Sequence, residues 1–166
     1  MRFALIGTRG VPARYGGFET AVEEVGSRLA SAGHDVTVFC RSADGADPGQ
    51  TFRGMRRVVL PALRIRVLET LSHTAISVIH PLIRGMDAAI VFNAANAPLL
   101  PVLRWRGVPV ATHVDGLEWR RAKWGRVGRR YYRRAEEWAV RWSDGLSADA
   151  RGIADYYRDE FGASTT

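Results

Sequence analysis

The sequence predicts an α/β fold in which helices cover both faces of a doubly wound, mainly parallel sheet. Short apolar runs alternate with helix-like patterns along the whole chain, which is typical of parallel strands joined by crossover helices. The 166 residues, 46% of them hydrophobic, suit one compact domain rather than two. No internal repeat or low-complexity linker divides the sequence, so we expect a single domain over residues 1–166.

The first strand, loop and helix occupy residues 2–31. Residues 2–6 are an apolar run that ends at Gly7, which predicts a buried strand followed by a loop. From Phe18 to Leu29 apolar side chains recur every three or four positions, and Gly33 ends this pattern. We therefore predict an amphipathic helix there. Residues 36–40 are rich in β-branched and aromatic side chains and predict the second strand.

The alternation continues to the end of the chain. We predict further strands at residues 55–60, 88–92, 109–114 and 145–148, and helices at residues 67–83, 97–105, 131–142 and 150–161. A polar loop rich in aromatic residues separates the strand at 109–114 from the helix at 131–142. In sheets of this kind ligands bind at the carboxyl ends of the strands, so the loops that follow the strands are the candidate sites.

Composition limits the classes of function. The formal net charge of +7 favours an anionic partner, although Lys123 is the only lysine among 24 basic residues and genomic base composition is an alternative cause. A lone Cys40 cannot form an intramolecular disulfide and suits a reducing compartment. The sequence has no Cys/His cluster for a metal, no signal peptide and no apolar run of about 18–20 residues. We expect a soluble cytoplasmic protein without a metal or other cofactor.

The loop GTRGVPARYGGFE, residues 7–19, is the first candidate site. It joins the first strand to the first helix, where unpaired backbone amides favour a phosphate or carboxylate. Gly16 and Gly17 would let a ligand approach the backbone closely, and Arg9 and Arg14 would add positive charge. The alternative is that the glycines only form a tight turn and the arginines are solvated.

This loop does not match the common nucleotide-binding motifs. The dinucleotide pattern G-x-G-x-x-G is absent, and no Gly-Lys-Ser/Thr follows the glycines. Arg41, at the end of the second strand, could in principle meet a 2′-phosphate. An NADP-dependent oxidoreductase therefore stays the weaker alternative.

The second candidate site is the segment THVDGLEWRRAKW, residues 112–124. Its carboxylates could orient sugar hydroxyls or exchange protons, its indoles could stack on sugar faces, and its cations could meet phosphate. The alternative is a surface loop whose tryptophans cap the core and whose charges pair with one another. His113 taken alone is more often a packed residue than a catalytic one.

Eight basic residues between Arg120 and Arg134 are interleaved with aromatic side chains. We call residues 120–134 the basic stripe. A solvated helix face explains it best, contact with an anionic membrane comes second, and nucleic acid is not expected as a partner. A non-catalytic module that binds a membrane surface or polyanion is accordingly the alternative to an enzyme.

Two long motifs carry a resemblance to a known family. GTRGVPARYGGFET and DGLEWRRAKW, followed by the late segment DYYRDEFG, resemble the N-terminal domain of glycosyltransferase family 4, in particular a bacterial subgroup labelled rhamnosyltransferases. The resemblance covers nearly the whole chain. It implies the N-terminal, Rossmann-like half of a GT-B fold, a nucleotide-sugar donor, retaining transfer and no required metal.

The resemblance also implies roles for individual residues. The family's Gly-Gly-x-Glu loop lies near the donor diphosphate and corresponds to residues 16–19. Many members carry a histidine at the position of Asp115, so this chain departs from the pattern, with His113 two residues earlier. We assign catalysis to Asp115, His113 and Glu118, donor phosphate binding to Gly16, Gly17, Arg9 and Arg14, and acceptor binding to Tyr15, Phe18, Glu19, Trp119, Arg120, Lys123 and Trp124.

The family's donor-binding domain would follow the last helix, whereas this sequence stops at Thr166. We therefore expect that the parent protein transfers a sugar, with rhamnose as the leading candidate, to a glycan or lipid-linked acceptor in cell-surface polysaccharide assembly. We expect the 166-residue fragment alone to have little activity. Peripheral contact with the inner face of the membrane is a further expectation.

Overall fold

A computed structural model describes residues 1–13, 16–42, 51–63 and 68–166. Within these ranges the strands are β1 (Arg2–Ile6), β2 (Asp35–Arg41), β3 (Thr51–Phe52), β4 (Met55–Leu60), β5 (Ala88–Phe92), β6 (Val110–Val114) and β7 (Gly145–Ala148). The α-helices are α1 (Gly17–Ser31), α2 (Glu69–Ile79), α3 (Leu100–Trp105), α4 (Arg126–Trp142) and α5 (Arg151–Phe161). Short 3₁₀ helices span Pro81–Gly85, Ala94–Leu99 and Glu118–Arg120.

The strands form one sheet in the order β3-β4-β2-β1-β5-β6-β7. All neighbouring pairs are parallel except β3 and β4, which form an antiparallel hairpin. Ala4 at the centre of β1 pairs with Thr37 on one side and with Ala89 on the other. The prediction of a doubly wound, mainly parallel α/β sheet is confirmed.

The core lies in two layers, one on each face of the sheet. Side chains of β1 alternate between the layers, so Ala4 and Ile6 join one cluster and Leu5 joins the other. The first cluster packs against α3, α4 and the C-terminal part of α2, and the second packs against α1. This alternation follows from the two-residue period of a strand, and it gives the helices on both faces that the sequence predicts.

The connections that follow β1 and β5 lie on opposite faces of the sheet. After β1 it passes to α1 on one face, whereas after β5 it passes to the 3₁₀ helix at Ala94–Leu99 and to α3 on the other. Loops that diverge from neighbouring strands leave a crevice between them at the carboxyl edge of the sheet. The two candidate loops of the sequence lie at this edge, after β1 and after β6.

Proline explains the main differences between the predicted and observed helices. The helix predicted at residues 67–83 ends as α2 at Ile79, because His80 precedes Pro81 and adopts an extended conformation, and a 3₁₀ helix follows. Val67 lies outside the described residues. The helix predicted at 97–105 is likewise a 3₁₀ helix that contains Pro98, followed by α3.

Two further differences come from residues without an apolar pattern. Helix α4 begins at Arg126, five residues before the predicted start at 131, because arginine favours helices without adding to an apolar face. The two-residue strand β3 was not predicted. It pairs with β4 through Arg53 and Gly54, both at positive φ, as tight hairpin turns require.

Gly7 fixes the point where β1 meets its loop. Its φ is +101°, and a Cβ at this position would lie 2.5 Å from the backbone oxygen of Phe92 and 2.8 Å from Nδ2 of Asn96. Backbone atoms at the end of β5 cannot move aside without breaking strand pairing. A glycine is therefore required here for both conformation and space.

We expect Gly7→Ala to lower the free energy of unfolding by about 3 kcal/mol, because it combines a strained φ with overpacking. Urea denaturation of the purified protein measures this. Gly17→Ala is the matched control, since a Cβ at Gly17 meets no atom within 4 Å, and it should change stability by less than about 1 kcal/mol. Equal effects of the two substitutions would contradict the packing argument.

Candidate functional site

The first half of the loop after β1 is part of the packed structure. Gly7, Thr8, Gly10 and Val11 are buried. Gly10, at φ +106°, lies so close to Cys40 that a Cβ would overlap its side chain. The first half of the loop therefore packs against the carboxyl ends of β1 and β2. The loop then leads to the start of α1.

The start of α1 is open. Gly16 and Gly17 are exposed, and among the described residues no side-chain hydrogen bond caps the helix N-terminus. The backbone of Gly17 is helical and a Cβ there would meet nothing, so packing within the described residues does not require a glycine at this position. A glycine that leaves space at an uncapped helix N-terminus suits the approach of an anionic ligand. Arg14 and Tyr15 lie outside the described residues.

Carboxylates of α1 accept hydrogen bonds from the backbone of the loop after β1. Oε2 of Glu23 accepts a hydrogen bond from the backbone nitrogen of Ala13 at 2.9 Å, and its Oε1 lies 2.9 Å from Nη1 of Arg53. The hydrogen bond from Ala13 is the main cause that lowers the pKa of Glu23. Oε1 of Glu19 makes a longer contact, 3.5 Å, with the backbone nitrogen of Arg9. Glu23, which sequence reasoning missed, therefore positions the loop.

Aromatic rings join the two candidate loops. The ring of Phe18, in the first turn of α1, lies 6.0 Å from the ring of His113 at the end of β6, edge to face. Both rings contact Phe92 at the end of β5, with centroid distances of 6.4 Å and 5.4 Å. Residues 95 positions apart in the sequence thus meet across three neighbouring structural elements.

Burial favours the neutral form of His113. Its Nδ1 lies 2.9 Å from Oγ of Ser147 on β7. Burial lowers the pKa of His113, and the negative charge of Asp149 opposes this only in part. A neutral imidazole keeps one nitrogen as an acceptor, so His113 can orient a hydroxyl group.

The pKa of Asp115 shifts in the opposite direction from that of His113. Burial raises its pKa to about 6, and the nearby carboxylates of Glu118 and Asp149 raise it further, while Arg121 opposes them. An acid with a pKa near neutrality can gain or lose a proton under physiological conditions. Asp115 and His113 therefore differ in protonation behaviour although they lie two residues apart.

Glu118 organises the loop between β6 and α4. Its buried carboxylate accepts a hydrogen bond from Nε1 of Trp124 at 3.0 Å and pairs with Arg121 at 2.8 Å and Lys123 at 3.2 Å. Both carboxylate oxygens are thus engaged by the loop itself. These contacts give Glu118 a structural role, and its assignment to catalysis stays a prediction.

The loop tryptophans pack against the protein. The ring of Trp119 has the guanidinium groups of Arg120 and Arg133 at 5.1 Å and 4.8 Å from its centroid. The ring of Trp124 lies 4.8 Å from that of Tyr132 on α4. These contacts favour the interpretation in which the tryptophans cap the core, and stacking on an acceptor sugar stays a prediction.

Much of the basic stripe has partners within the protein. Besides the pairs with Glu118, Arg133 binds Glu160 at 2.7 Å and Arg134 binds Glu137 at 2.7 Å. Nε of Arg129 donates to the backbone oxygen of Trp124 at 3.1 Å. Four of the eight basic side chains of the stripe therefore form ion pairs, as expected of a solvated surface.

The partners of Arg41 bear on the alternative in which this side chain binds the 2′-phosphate of NADP. Its buried guanidinium pairs with Glu69 at 3.2 Å and donates to Oγ1 of Thr70 at 2.9 Å, both on α2. A side chain held in this way is poorly placed to receive a 2′-phosphate. The geometry thus counts against the NADP interpretation.

Sequence reasoning missed the contribution of β7. Ser147 and Asp149 stand at the end of this strand and act on His113 and Asp115. The rule that carboxyl ends of parallel strands share one edge would have found them.

The described ranges contain no group of three His, Cys, Asp or Glu side chains placed to hold a metal ion. None of the helices described is long and apolar enough to span a bilayer.

The fold and this site together define a Rossmann-like domain with a polar, partly buried site at the carboxyl edge of its sheet. Residues 15–165 match the model of Glycosyltransferase Family 4. The chain therefore belongs to this family, as a domain of the N-terminal type found in GT-B folds, and its function is of the glycosyltransferase type. A search of curated proteins found no match.

The buried carboxyl group of Glu136 contributes to the pH dependence of the free energy of unfolding. Glu136, on α4, accepts a hydrogen bond from the hydroxyl of Tyr156 at 2.9 Å. Burial raises its pKa to about 7, and the bond from Tyr156 opposes this. At Glu136 the native state therefore binds more protons than the unfolded chain between about pH 4.5 and 7.

We expect the ionisation of Glu136 to contribute a fall in stability of roughly 2–3 kcal/mol as pH rises through this window, and Glu136→Gln to remove this contribution. The lowered pKa of His73 acts in the opposite direction and is common to both proteins. Glutamine keeps an acceptor for Tyr156 but carries no charge to desolvate. Denaturant melts at pH 5 and pH 8 give the difference. The exposed Glu137→Gln on the same helix should leave the fall unchanged, and an unchanged fall in Glu136→Gln would show that the carboxylate is not desolvated.

Proposed function

We propose that this domain binds the acceptor and presents one of its hydroxyl groups to a nucleotide-sugar donor during retaining glycosyl transfer. The family match supports transfer of a sugar. The observation that carries the proposal is the contact between Phe18 and His113. It brings the loop of residues 7–19, which we call the glycine loop, and the end of β6 to one crevice. Asp115 lies beside His113 in the chain, at the same edge.

The glycine loop would receive the donor's diphosphate. Negative charge on the diphosphate grows as the bond to the sugar breaks, and a helix N-terminus stabilises such charge. Gly16 and Gly17 leave the space for it. The predicted contributions of Arg9 and Arg14 belong to this proposal, together with a second domain that holds the nucleotide.

Asp115 would accept the proton of the acceptor hydroxyl. As retention requires, the hydroxyl oxygen forms the new bond on the face of the sugar carbon that the diphosphate leaves. The bond from that carbon to the diphosphate breaks, and the proton passes to the carboxylate. A pKa of about 6 leaves Asp115 ionised and ready to act at neutral pH. His113, neutral and fixed by Ser147, would orient the same hydroxyl.

The finer identity of the reaction rests on the motif resemblance. We propose rhamnose or a related deoxysugar as the transferred group, a glycan or lipid-linked acceptor, and a place in cell-surface polysaccharide assembly at the cytoplasmic side of the membrane. A panel of nucleotide sugars tested with the complete protein would identify the donor. Turnover of no nucleotide sugar would contradict the proposal.

We expect Asp115→Asn to lower kcat by about a hundredfold or more, because it removes the proton acceptor and keeps the size of the side chain. The wild-type kcat should rise with pH through about 6 as Asp115 ionises, and this rise should disappear in the variant. Steady-state transfer assays with the complete protein across pH measure both.

Asp35→Asn is the matched control, since Asp35 is exposed at the start of β2, on the opposite edge of the sheet. It should leave kcat unchanged. Denaturant melts exclude loss of folding as the cause. If Asp115→Asn retained the wild-type kcat and pH profile, Asp115 would not be the base.

A further inference from the structure

The buried carboxyl group of Glu136 lies where three elements of the structure meet. The side chain comes from α4 and is 4% exposed. Its Oε2 accepts a hydrogen bond from the hydroxyl of Tyr156 on α5 at 2.9 Å. Burial raises the pKa of Glu136, and the indole N–H of Trp119, in the 3₁₀ helix after β6, is among the groups that oppose this shift. One acid therefore has neighbours on α4, on α5 and on the segment that follows Asp115.

The indole nitrogen of Trp119 is a buried donor without an acceptor. None of the described atoms accepts its proton within hydrogen-bond geometry. The neighbouring Trp124 differs, because its indole nitrogen donates to Oε2 of Glu118 at 3.0 Å. A buried donor left unpaired destabilises the state that contains it. The carboxyl group of Glu136, whose pKa this N–H affects, is the acceptor available to it.

The protonation state of Glu136 decides how strongly it attracts this donor. A neutral carboxyl group donates one hydrogen bond itself, whereas a carboxylate only accepts, and hydrogen bonds to an ionised acceptor are about twice as strong. An indole N–H can only donate. The carboxylate therefore favours a position of Trp119 in which the N–H reaches it. Because burial raises the pKa of Glu136 to about 7, both forms are populated near neutral pH.

Two cations and a second acid surround this pair of side chains. The guanidinium of Arg133, one turn before the carboxyl on α4, lies 4.8 Å from the ring centre of Trp119 and binds Glu160 of α5 at 2.7 Å. The guanidinium of Arg120 lies 5.1 Å from the same ring. The charge of Arg133 favours the carboxylate, and that of Glu160 opposes it. Arginine keeps its charge at neutral pH, so these cations cannot themselves move the ring as pH changes.

The same junction borders Asp115. Burial raises the pKa of Tyr157 on α5, and the charges of Glu136 and Asp115 raise it further. Burial also raises the pKa of Asp115, and the carboxylate of Glu118, the residue before Trp119, adds to this shift. A movement of Trp119 would carry Glu118 with it, because both belong to one 3₁₀ turn.

We propose that Glu136 is a positioning residue whose ionisation draws the indole N–H of Trp119 into a hydrogen bond and thereby moves the segment Glu118–Arg120. Within the proposed glycosyl transfer, this movement changes the electrostatic surroundings of Asp115. That last step alone rests on the proposed function, because the movement of Trp119 is measured without any sugar transfer.

Nuclear magnetic resonance of the purified protein, labelled with ¹⁵N at tryptophan, tests the proposal. The sequence has five tryptophans, and the indole signal that disappears in Trp119→Phe belongs to Trp119. We expect its N–H proton signal to move downfield as pH rises from about 5.5 to about 8.5, with a midpoint near pH 7, because a charge-assisted hydrogen bond deshields the proton. This transition should be lost in Glu136→Gln.

Tyr156→Phe gives a second expectation with a definite sign. The hydroxyl of Tyr156 favours the ionised form of Glu136. Its removal should therefore raise the midpoint of the Trp119 transition by about one pH unit. A midpoint that stays at the wild-type value would contradict the proposal even if Glu136→Gln failed to fold.

Glu137→Gln and Asp115→Asn are the matched controls. Glu137 is the next residue of α4, exposed and paired with Arg134, and Asp115 is a second acid with a pKa near neutrality. Both variants should keep the transition of the Trp119 signal. A signal that does not change with pH in the wild type, a transition that persists in Glu136→Gln or one that vanishes in a control would overturn the proposal.

Transfer assays with the complete protein separate this inference from the proposed function. We expect Glu136→Gln to match the wild-type kcat at about pH 6, where both side chains are largely neutral, and to be about threefold slower at about pH 8. Equal kcat values at both pH values would remove the step that reaches Asp115. Absence of the Trp119 transition with intact transfer would remove the whole inference and leave the proposed function standing.

Discussion

The pairing of β1 with β2 on one side and β5 on the other is the constraint on which the rest of the structure depends. Because all three strands run in the same direction, their carboxyl ends share one edge. The chain crosses from β1 towards β2 and from β5 towards β6, in opposite directions along the sheet, so right-handed crossovers place these two connections on opposite faces. This divergence opens the crevice. It also explains why residues 18 and 113 meet, since each follows or ends a strand at that edge.

Burial gives two ordinary side chains in the crevice different pKa shifts. His113 and Asp115 are both partly buried, yet desolvation acts on them in opposite directions because it always disfavours the charged form. The histidine becomes a weaker base and the aspartic acid a weaker acid. Glu118 is also buried, and its pairs with Arg121 and Lys123 hold the loop in place.

Strands were easier to predict from the sequence than sites. The runs at residues 2–6, 55–60, 88–92 and 145–148 were predicted to the residue, because a buried strand is a short apolar segment with clear ends. Helix ends differed where proline produced 3₁₀ turns. The edge that carries the site followed from topology, but Glu23, Ser147 and Asp149 did not, because their roles depend on contacts between distant segments that no local pattern records.

The adjacent tyrosines of α4 connect this helix to two separate loops. Consecutive residues of a helix point about 100° apart, so Tyr131 donates its hydroxyl proton to the backbone oxygen of Ala95 while the ring of Tyr132 packs against that of Trp124. Ala95 follows β5 and Trp124 follows β6, two neighbouring strands of the sheet. One helix therefore supports both segments that leave the sheet beside the crevice, and their relative position depends on where α4 lies.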